Sequence, residues 1–122
     1  MRGVLLVEDE DVLRRSLERF LSRNDRQVHS VSERAEAIAL LASGTFELLV
    51  TDLVLPDGSG TDLVEDAMAR GMEVIVITAY GSSEVRSRLA ARSVACLAKP
   101  FDLDLLQSAV ESALGRCARR AP

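Results

Sequence analysis

Three acidic residues, one hydroxyl and one lysine stand at the ends of short apolar runs in this sequence. Glu8 and Asp9 follow the first run, Asp52 follows the third, Thr78 ends the fourth, and Lys99 follows the fifth. Lys99 is the only lysine among 15 lysine and arginine residues. A compact ammonium kept in an arginine-rich chain is suited to pairing with carboxylate or phosphate oxygens, because lysine is a point charge where arginine is a planar fork.

These residue types suit Mg²⁺ binding and phosphoryl transfer. Three carboxylates held close together repel one another, and a hard divalent cation with oxygen ligands and several waters relieves that repulsion. Charge neutralisation and positioning are also the main requirements for moving a phosphoryl group onto a carboxylate. Lys99 and the Thr78 hydroxyl would complete the groups around the phosphoryl oxygens. The alternative is a set of strand-end acids that are only solvated at the edge of a sheet.

The elements that must position these residues alternate regularly along the chain. Apolar runs predict strands, and segments with helical spacing of apolar residues separate them. The order βαβαβαβαβα predicts a doubly wound α/β domain, a (βα)5 unit with a parallel sheet and helices on both faces. Ligands of such sheets bind outside the carboxyl ends of the strands, where the five candidate residues fall. The predicted strands are Gly3–Val7, Gln27–Val31 (a mixed run that fits an edge strand), Glu47–Thr51, Glu73–Thr78 and Val94–Ala98.

Spacing and capping residues predict the helices in more detail. The second helix is expected from Ser32, as the N-cap, to Gly44. Its inward side chains are expected to be Ala35, Ile38 and Leu41. The last helix is expected to open at Asp102 and to turn four apolar residues inward. These are Leu106, Ala109, Val110 and Ala113.

Length and charge limit the possible functions. A chain of 122 residues fits one domain, and a net charge of −4 argues against direct contact with nucleic acid or an anionic membrane. No apolar stretch has membrane-spanning length, and Met1-Arg2-Gly3 leads straight into the first strand, so we expect a cytoplasmic protein. Cys96 and Cys117 have neither metal-binding nor redox spacing. We expect the domain to cover residues 1–115, and residues 116–122 to be a basic tail or the start of a linker.

Four stretches together resemble the receiver domain of response regulators in bacterial two-component signalling. They are LLVEDE at 5–10, VTDLVLPDGSG at 50–60, VITAYG at 76–81 and LAKPFD at 97–102. The resemblance extends from residue 3 to about residue 115. It implies the flavodoxin-like receiver fold, with strand order 2-1-3-4-5. It also implies a signalling domain rather than an enzyme, one that assists its own Mg²⁺-dependent phosphorylation and dephosphorylation. The second and third stretches are similar to receivers of nitrogen-regulator-like transcription activators, which favours the receiver part of a transcriptional regulator, with a stand-alone receiver as the alternative.

The resemblance assigns roles to individual residues. Asp52 would be the phosphoacceptor, taking a phosphoryl group from a histidine of a sensor kinase. Asp9 and Asp52 would ligate Mg²⁺ together with the backbone carbonyl of Val54, and Glu8 would act through water. Lys99 would pair with the phosphoryl oxygens.

The resemblance also implies how the signal leaves the site. The Thr78 hydroxyl would move to hydrogen-bond the phosphorylated aspartate, and the bond from the lysine to Pro100 would be cis. Phosphorylation would then shift a two-state equilibrium. The output face would be the fourth helix, fifth strand and fifth helix, a surface that includes Arg86, Arg88 and Arg92 and is a candidate for homodimer formation.

Three positions bear on switching and lifetime. Cys96 stands where family members usually carry a tyrosine or phenylalanine whose rotamer is coupled to the threonine. A thiol cannot make the same motion, so the resemblance does not say which residue couples Thr78 to the output face in this chain. Apolar Val54 and Tyr80 flank the site in sequence and are expected to hinder the water that hydrolyses the acyl phosphate. We therefore expect slow self-dephosphorylation.

Three other functions remain as alternatives. A small phosphohydrolase would need a second acid near Asp52 and a substrate cap, but residue 54 is valine and no insertion is long enough for a cap. A flavin or nucleotide binder would need a glycine fingerprint after the first strand, whereas Gly58 and Gly60 follow the third and fit a turn. A receiver that signals by binding alone is kept open by Cys96.

Overall fold

A computed structural model describes residues 3–44, 46–79 and 83–120. The strands are β1 (Gly3–Val7), β2 (Gln27–Val31), β3 (Leu48–Thr51), β4 (Val54–Leu55), β5 (Gly58–Ser59), β6 (Glu73–Thr78) and β7 (Ala95–Ala98). Five of them form a parallel sheet in the order β2-β1-β3-β6-β7, and β4 and β5 pair separately as an antiparallel hairpin. Counting only the strands of the main sheet, this order is 2-1-3-4-5, which confirms the predicted topology and the edge position of the second strand.

Five α-helices connect the strands. They are α1 (Asp11–Leu21), α2 (Arg34–Ser43), α3 (Thr61–Ala69), α4 (Ser83–Ala91) and α5 (Leu103–Arg120), with a short 3₁₀ turn at Arg23–Asp25. Among the described residues, no helix combines the length and the apolar character needed to cross a membrane.

The core has two layers that share the strands of the main sheet. In β1, Leu5 and Val7 pack with the helices α2, α3 and α4, whereas Val4 and Leu6 pack with α1 and α5. Successive side chains of a strand point to opposite faces, so strands buried on both faces must be apolar throughout. The prediction of helices on both faces is confirmed.

The predicted inward face of α2 is only partly right, and its predicted cap is wrong. Leu41 is buried as predicted, but the second buried residue is Ala37, while Ala35 and Ile38 are exposed. Residues 37–42 are all apolar, so spacing alone does not define which side of this helix faces the core. Ser32 does not cap the helix: the residue at the N-cap is Glu33, which makes no side-chain capping bond. The first backbone N–H groups of α2 bond instead to a carboxylate from another loop, described below.

Helix α5 agrees with its predicted face and continues past its predicted end. Leu106, Val110 and Ala113 are buried, and the Asp102 carboxylate accepts a hydrogen bond from the N–H of residue 104 at 2.8 Å. The helix runs through residue 115 to residue 120, so no break in the backbone marks the expected boundary. The division into a domain of residues 1–115 and a tail stays a prediction. The Arg116 guanidinium donates to the carboxylate at the start of β6 at 2.8 Å.

Candidate functional site

The candidate residues converge at the carboxyl edge of the sheet. Glu8 and Asp52 are the first residues after β1 and β3, and the Asp52 N–H still donates to the Val7 carbonyl at 3.1 Å. Thr78 ends β6, and its carbonyl accepts from the N–H of Lys99 at 3.1 Å. The backbone hydrogen bonds thus extend one residue beyond the strands, so the sheet itself fixes the positions of these residues.

The Lys99 ammonium lies between the buried carboxylates of Glu8 and Asp52. Its Nζ is 2.8 Å from Glu8 Oε1 and 2.8 Å from Asp52 Oδ2, and 3.6 Å from Glu10 Oε1. The exposed fractions of the three central side chains are 13% for the lysine, 2% for the glutamate and 7% for the aspartate. Little solvent separates these charges, so their interaction is stronger than that of a surface ion pair.

Burial and pairing act in opposite directions on the titration of this cluster. Burial alone lowers the pKa of Lys99, but its hydrogen bonds to Asp52 and Glu8 outweigh that effect, and the net pKa is raised. Burial raises the pKa of Glu8, although the Lys99 ammonium and the N–H of Glu10 oppose the shift. The lysine therefore stays charged at neutral pH.

Glu8, Asp9 and Asp52 form a cluster of oxygen ligands. One carboxylate oxygen from each lies within 4.8 Å of the others, and Asp9 is exposed while the other two are buried. This donor set suits a hard divalent cation that keeps some of its waters. Both oxygens of Glu8 already have partners within the protein, since Oε1 contacts Lys99 and Oε2 accepts from the N–H of Glu10 at 3.1 Å.

The loop after β3 is built tightly around Asp52. The Val54 N–H donates to Asp52 Oδ1 at 3.1 Å, and the Gly60 N–H donates to the Leu53 carbonyl at 2.8 Å. A Cβ at Gly60 would lie 2.3 Å from the Asp52 carbonyl oxygen, closer than any side chain allows. The sequence predicted a turn at Gly58 and Gly60, but not the β4–β5 hairpin or this close approach.

Thr78 and the peptide bond between Lys99 and Pro100 also lie at this edge of the sheet. Thr78 is fully buried at the end of β6, and the Lys99–Pro100 peptide bond is cis, as the resemblance implied. Cys96 lies in β7, partly buried against the layer of α2, α3 and α4, and burial raises the pKa of its thiol. Tyr80, for which a role in acyl-phosphate lifetime was predicted, lies outside the described residues.

Arg14 is a residue of the site that the sequence did not reveal. Its guanidinium donates to the Glu8 carbonyl oxygen at 3.1 Å and pairs with Asp11 at 2.7 Å. It therefore links the first turn of α1 to the acidic loop after β1. An arginine on an amphipathic helix carries no local signal of such a contact, since its partner is a backbone carbonyl.

Comparison with known proteins gives consistent similarities. The sequence model of the response regulator receiver domain matches residues 4–111. The chain is 42% identical over 113 residues to the response regulator protein PilR of Pseudomonas aeruginosa. This match covers 90% of this chain and 25% of PilR. It is 32% identical over 119 residues to the KDP operon transcriptional regulatory protein KdpE of Escherichia coli, covering 95% of this chain and 52% of KdpE. The chain thus spans a quarter of the length of PilR and about half of the length of KdpE.

A solved structure shares the fold over nearly the whole chain. The response regulator protein TrrA of Thermotoga maritima, in complex with Mg(2+)-BeF, matches with a TM-score of 0.78 and 26% sequence identity. The match covers 93% of this chain and 99% of that one.

Proposed function

This chain belongs to the response regulator receiver domain family, signalling domains of two-component systems, and from that premise we propose that Asp52 accepts a phosphoryl group from a sensor histidine kinase. The observation that carries the proposal is the Lys99 ammonium, held 2.8 Å from the carboxylates of both Glu8 and Asp52. A fixed cation beside a buried carboxylate provides what phosphoryl transfer mainly requires, which is positioning and charge neutralisation.

In the proposed reaction, Asp52 is the nucleophile. A carboxylate oxygen of Asp52 forms a bond to phosphorus as the phosphorus–nitrogen bond of the kinase's phosphohistidine breaks. The imidazole leaves with the electron pair of that bond and takes up a proton, and the product is an acyl phosphate on Asp52. The Lys99 ammonium, which contacts the Asp52 carboxylate before transfer, then pairs with the oxygens of the new phosphoryl group.

We propose Mg²⁺ as the cofactor, held by Asp9, Asp52 and the carbonyl of Val54, with Glu8 acting through water. When bound, the ion neutralises the charge between the anionic carboxylate and the anionic phosphoryl group. The donor chemistry of the acidic cluster supports this assignment, because carboxylate oxygens are the ligands Mg²⁺ prefers. The presence of Mg(2+)-BeF in the related TrrA structure also supports it.

The output step is proposed as a population shift. The Thr78 hydroxyl would hydrogen-bond the phosphorylated aspartate, and the conformation that permits this bond would become favoured. The proposed output face is formed by α4, β7 and α5, and it is also the proposed homodimer surface. Relatives such as KdpE are named as transcriptional regulators, so we propose the same role for the whole protein to which this domain belongs. Non-enzyme status and a cytoplasmic location stay predictions.

Intact-mass measurement tests the phosphoacceptor assignment. The protein is incubated with Mg²⁺ and acetyl phosphate, beside Asp52→Ala and a control variant, Asp66→Ala, that removes a surface carboxylate of α3. We expect one added phosphoryl group on the wild type and on the control, and none on Asp52→Ala or when Mg²⁺ is chelated. A folded wild type that gains no mass would contradict the proposal and favour a receiver that signals by binding alone.

A further inference from the structure

Two residues, Arg34 and Asp57, connect helix α2 to the hairpin that follows the proposed phosphoacceptor. Asp57 lies in the turn between β4 and β5, and Arg34 is the first residue of α2. They are 23 residues apart in sequence and form a cross-link between two elements that belong to different βα units. Neither residue was singled out from the sequence as a residue of the site.

The Asp57 carboxylate caps α2. Its Oδ1 accepts the N–H of Arg34 at 2.7 Å, and its Oδ2 accepts the N–H of Ala35 at 2.9 Å. The hydrogen bond from Ala35 is the largest cause that lowers the pKa of the Asp57 carboxyl, followed by the bond from Arg34. A carboxylate at a helix N-terminus also interacts favourably with the helix dipole.

The Arg34 side chain contacts the hairpin and the helix that follows it. Its Nε donates to the Ser59 carbonyl at 3.1 Å, and its terminal nitrogen pairs with the Asp62 carboxylate of α3. Gly58, between these contacts, has a φ of +143°, and a Cβ there would lie 3.2 Å from Arg34 Cδ. The guanidinium fork thus reaches a backbone carbonyl and a carboxylate at once, which lysine could not reproduce.

The contacts of Arg34 and Asp57 constrain the β4–β5 hairpin, which is held against the Asp52 side chain and backbone at both of its ends. The hairpin begins at Val54, whose N–H bonds to Asp52 Oδ1. It ends just before Gly60, whose Cα lies against the Asp52 backbone too closely to admit a Cβ. Val54 and Ser59 are paired across the hairpin, so a constraint on Ser59 is also a constraint on Val54.

We propose that Arg34 and Asp57 are positioning residues, which hold the β4–β5 hairpin against α2 so that the Val54 carbonyl stays in place as a Mg²⁺ ligand. This inference rests on the proposed function, in which that carbonyl and Asp52 bind the ion. Partners that orient a metal ligand without touching the metal typically set its affinity by a factor of ten or more. The rival role is a helix cap and ion pair that stabilise the fold alone, which predicts a less stable protein with unchanged Mg²⁺ affinity.

The test compares Asp57→Ala and Arg34→Ala with the control variants Asp66→Ala and Arg70→Ala. Asp66 and Arg70 form an ion pair of 2.9 Å at the C-terminal end of α3, so the controls remove the same residue types without touching the hairpin. Calorimetric titration with MgCl₂ measures affinity, and hydrogen exchange measures protection of the Val54 and Gly60 amides in metal-free protein. We expect Mg²⁺ to bind about tenfold more weakly to the two test variants. We also expect both amides to exchange faster, with Asp57→Asn intermediate and the controls unchanged.

The two measurements separate the possible outcomes. Wild-type Mg²⁺ affinity and wild-type amide protection in both folded test variants would overturn the inference. Faster exchange with wild-type affinity would also overturn it, since the cross-link would then serve the fold alone. If the wild type itself binds no Mg²⁺ while the hairpin amides lose protection in the variants, the positioning of the hairpin is supported and the proposed metal site falls.

Discussion

At the scale of single residues, Lys99 is the group on which the charge balance of the site depends. Removing it by Lys99→Met leaves the buried Glu8 and Asp52 carboxylates facing each other without a cation. We expect the free energy of unfolding to fall by about 3 kcal/mol at neutral pH, the cost of breaking a buried ion pair. The deficit should shrink in mild acid, because burial raises the pKa of Glu8 and protonation of this carboxylate relieves the repulsion.

Urea denaturation near pH 7 and near pH 5 measures this effect. The matched control is Arg88→Met, which removes an exposed cation paired with Glu84 at 2.8 Å. An exposed pair contributes about 0–1 kcal/mol, so the control should change stability little. Equal losses in the two variants would contradict the importance assigned to burial.

Val54 is the residue for which the lifetime of the acyl phosphate can be tested. Its side chain is 49% exposed beside the proposed phosphoacceptor and offers no group that could orient water. We expect Val54→Asn to shorten the acyl-phosphate lifetime several-fold, because an amide can hydrogen-bond the attacking water. The decay of phosphorylated protein, followed by intact mass after removal of acetyl phosphate, gives the lifetime. An unchanged decay would show that water access is limited elsewhere.

At the scale of elements, the close approach of Gly60 to β3 gives a sharp prediction. A methyl group there meets the Asp52 carbonyl oxygen at 2.3 Å and Leu53 Cα at 3.1 Å, and both are backbone atoms that cannot rotate away. We expect Gly60→Ala to destabilise the protein by about 1–3 kcal/mol, as overpacking does, and to slow phosphorylation of Asp52.

Gly115→Ala is the contrasting control for this substitution. A Cβ at Gly115 would lie 3.6 Å from the end of the Arg119 side chain, an ordinary contact, and the residue is inside α5. Alanine is favoured over glycine in a helix by about 1 kcal/mol, so this variant should be more stable than the wild type. Thermal unfolding and phosphorylation rates of both variants check the pair, and a stable, fully active Gly60→Ala would disprove the argument.

The cap of α2 predicts a pH dependence with a definite sign. The pKa of Asp57 is lowered in the folded protein, so its contribution to stability is present above its ordinary pKa of 3.8 and is lost as pH falls through the folded-state value. Asp57→Asn should therefore be less stable than the wild type at neutral pH, and the difference should close as the pH falls below 3.8. Urea denaturation of both proteins over that range measures the gap. A gap that is constant with pH would contradict the charged cap.

Elements with a repeating pattern were predictable from the sequence, and those that depend on distant partners were not. Strands buried on both faces need continuous apolar runs, and α5 has one apolar stripe, so both could be predicted. Helix α2 is apolar on nearly every side, and its cap comes from Asp57 in another loop, so neither its inward face nor its cap is encoded locally. The convergence of Glu8, Asp52 and Lys99 was predictable because parallel strands end at one edge. The contacts of Arg14 with the Glu8 carbonyl and of Arg34 with the Ser59 carbonyl were not, because a backbone carbonyl partner leaves no side-chain signal in the sequence.

At the scale of the whole molecule, the two core layers should unfold together. Leu49 and Val50 are adjacent in β3, yet they belong to opposite layers, and neither layer can lose its strands without exposing the other. We expect Leu49→Ala to lower the free energy of unfolding by about 2–5 kcal/mol in a single transition. Far-UV circular dichroism and NMR signals from the α1–α5 side should show the same midpoint. Two separated transitions would contradict this coupling of the layers.

The arginine-rich composition has a practical consequence for spectroscopy. Because Lys99 is the only lysine and lies 2.8 Å from both buried carboxylates, isotope labelling of lysine alone places a single reporter at the centre of the site. Its side-chain NMR signals would be free of overlap, because no other lysine of this sequence carries the label. Ion binding, phosphoryl transfer and hydrolysis could then each be followed in real time through one resonance, with no probe added to the protein.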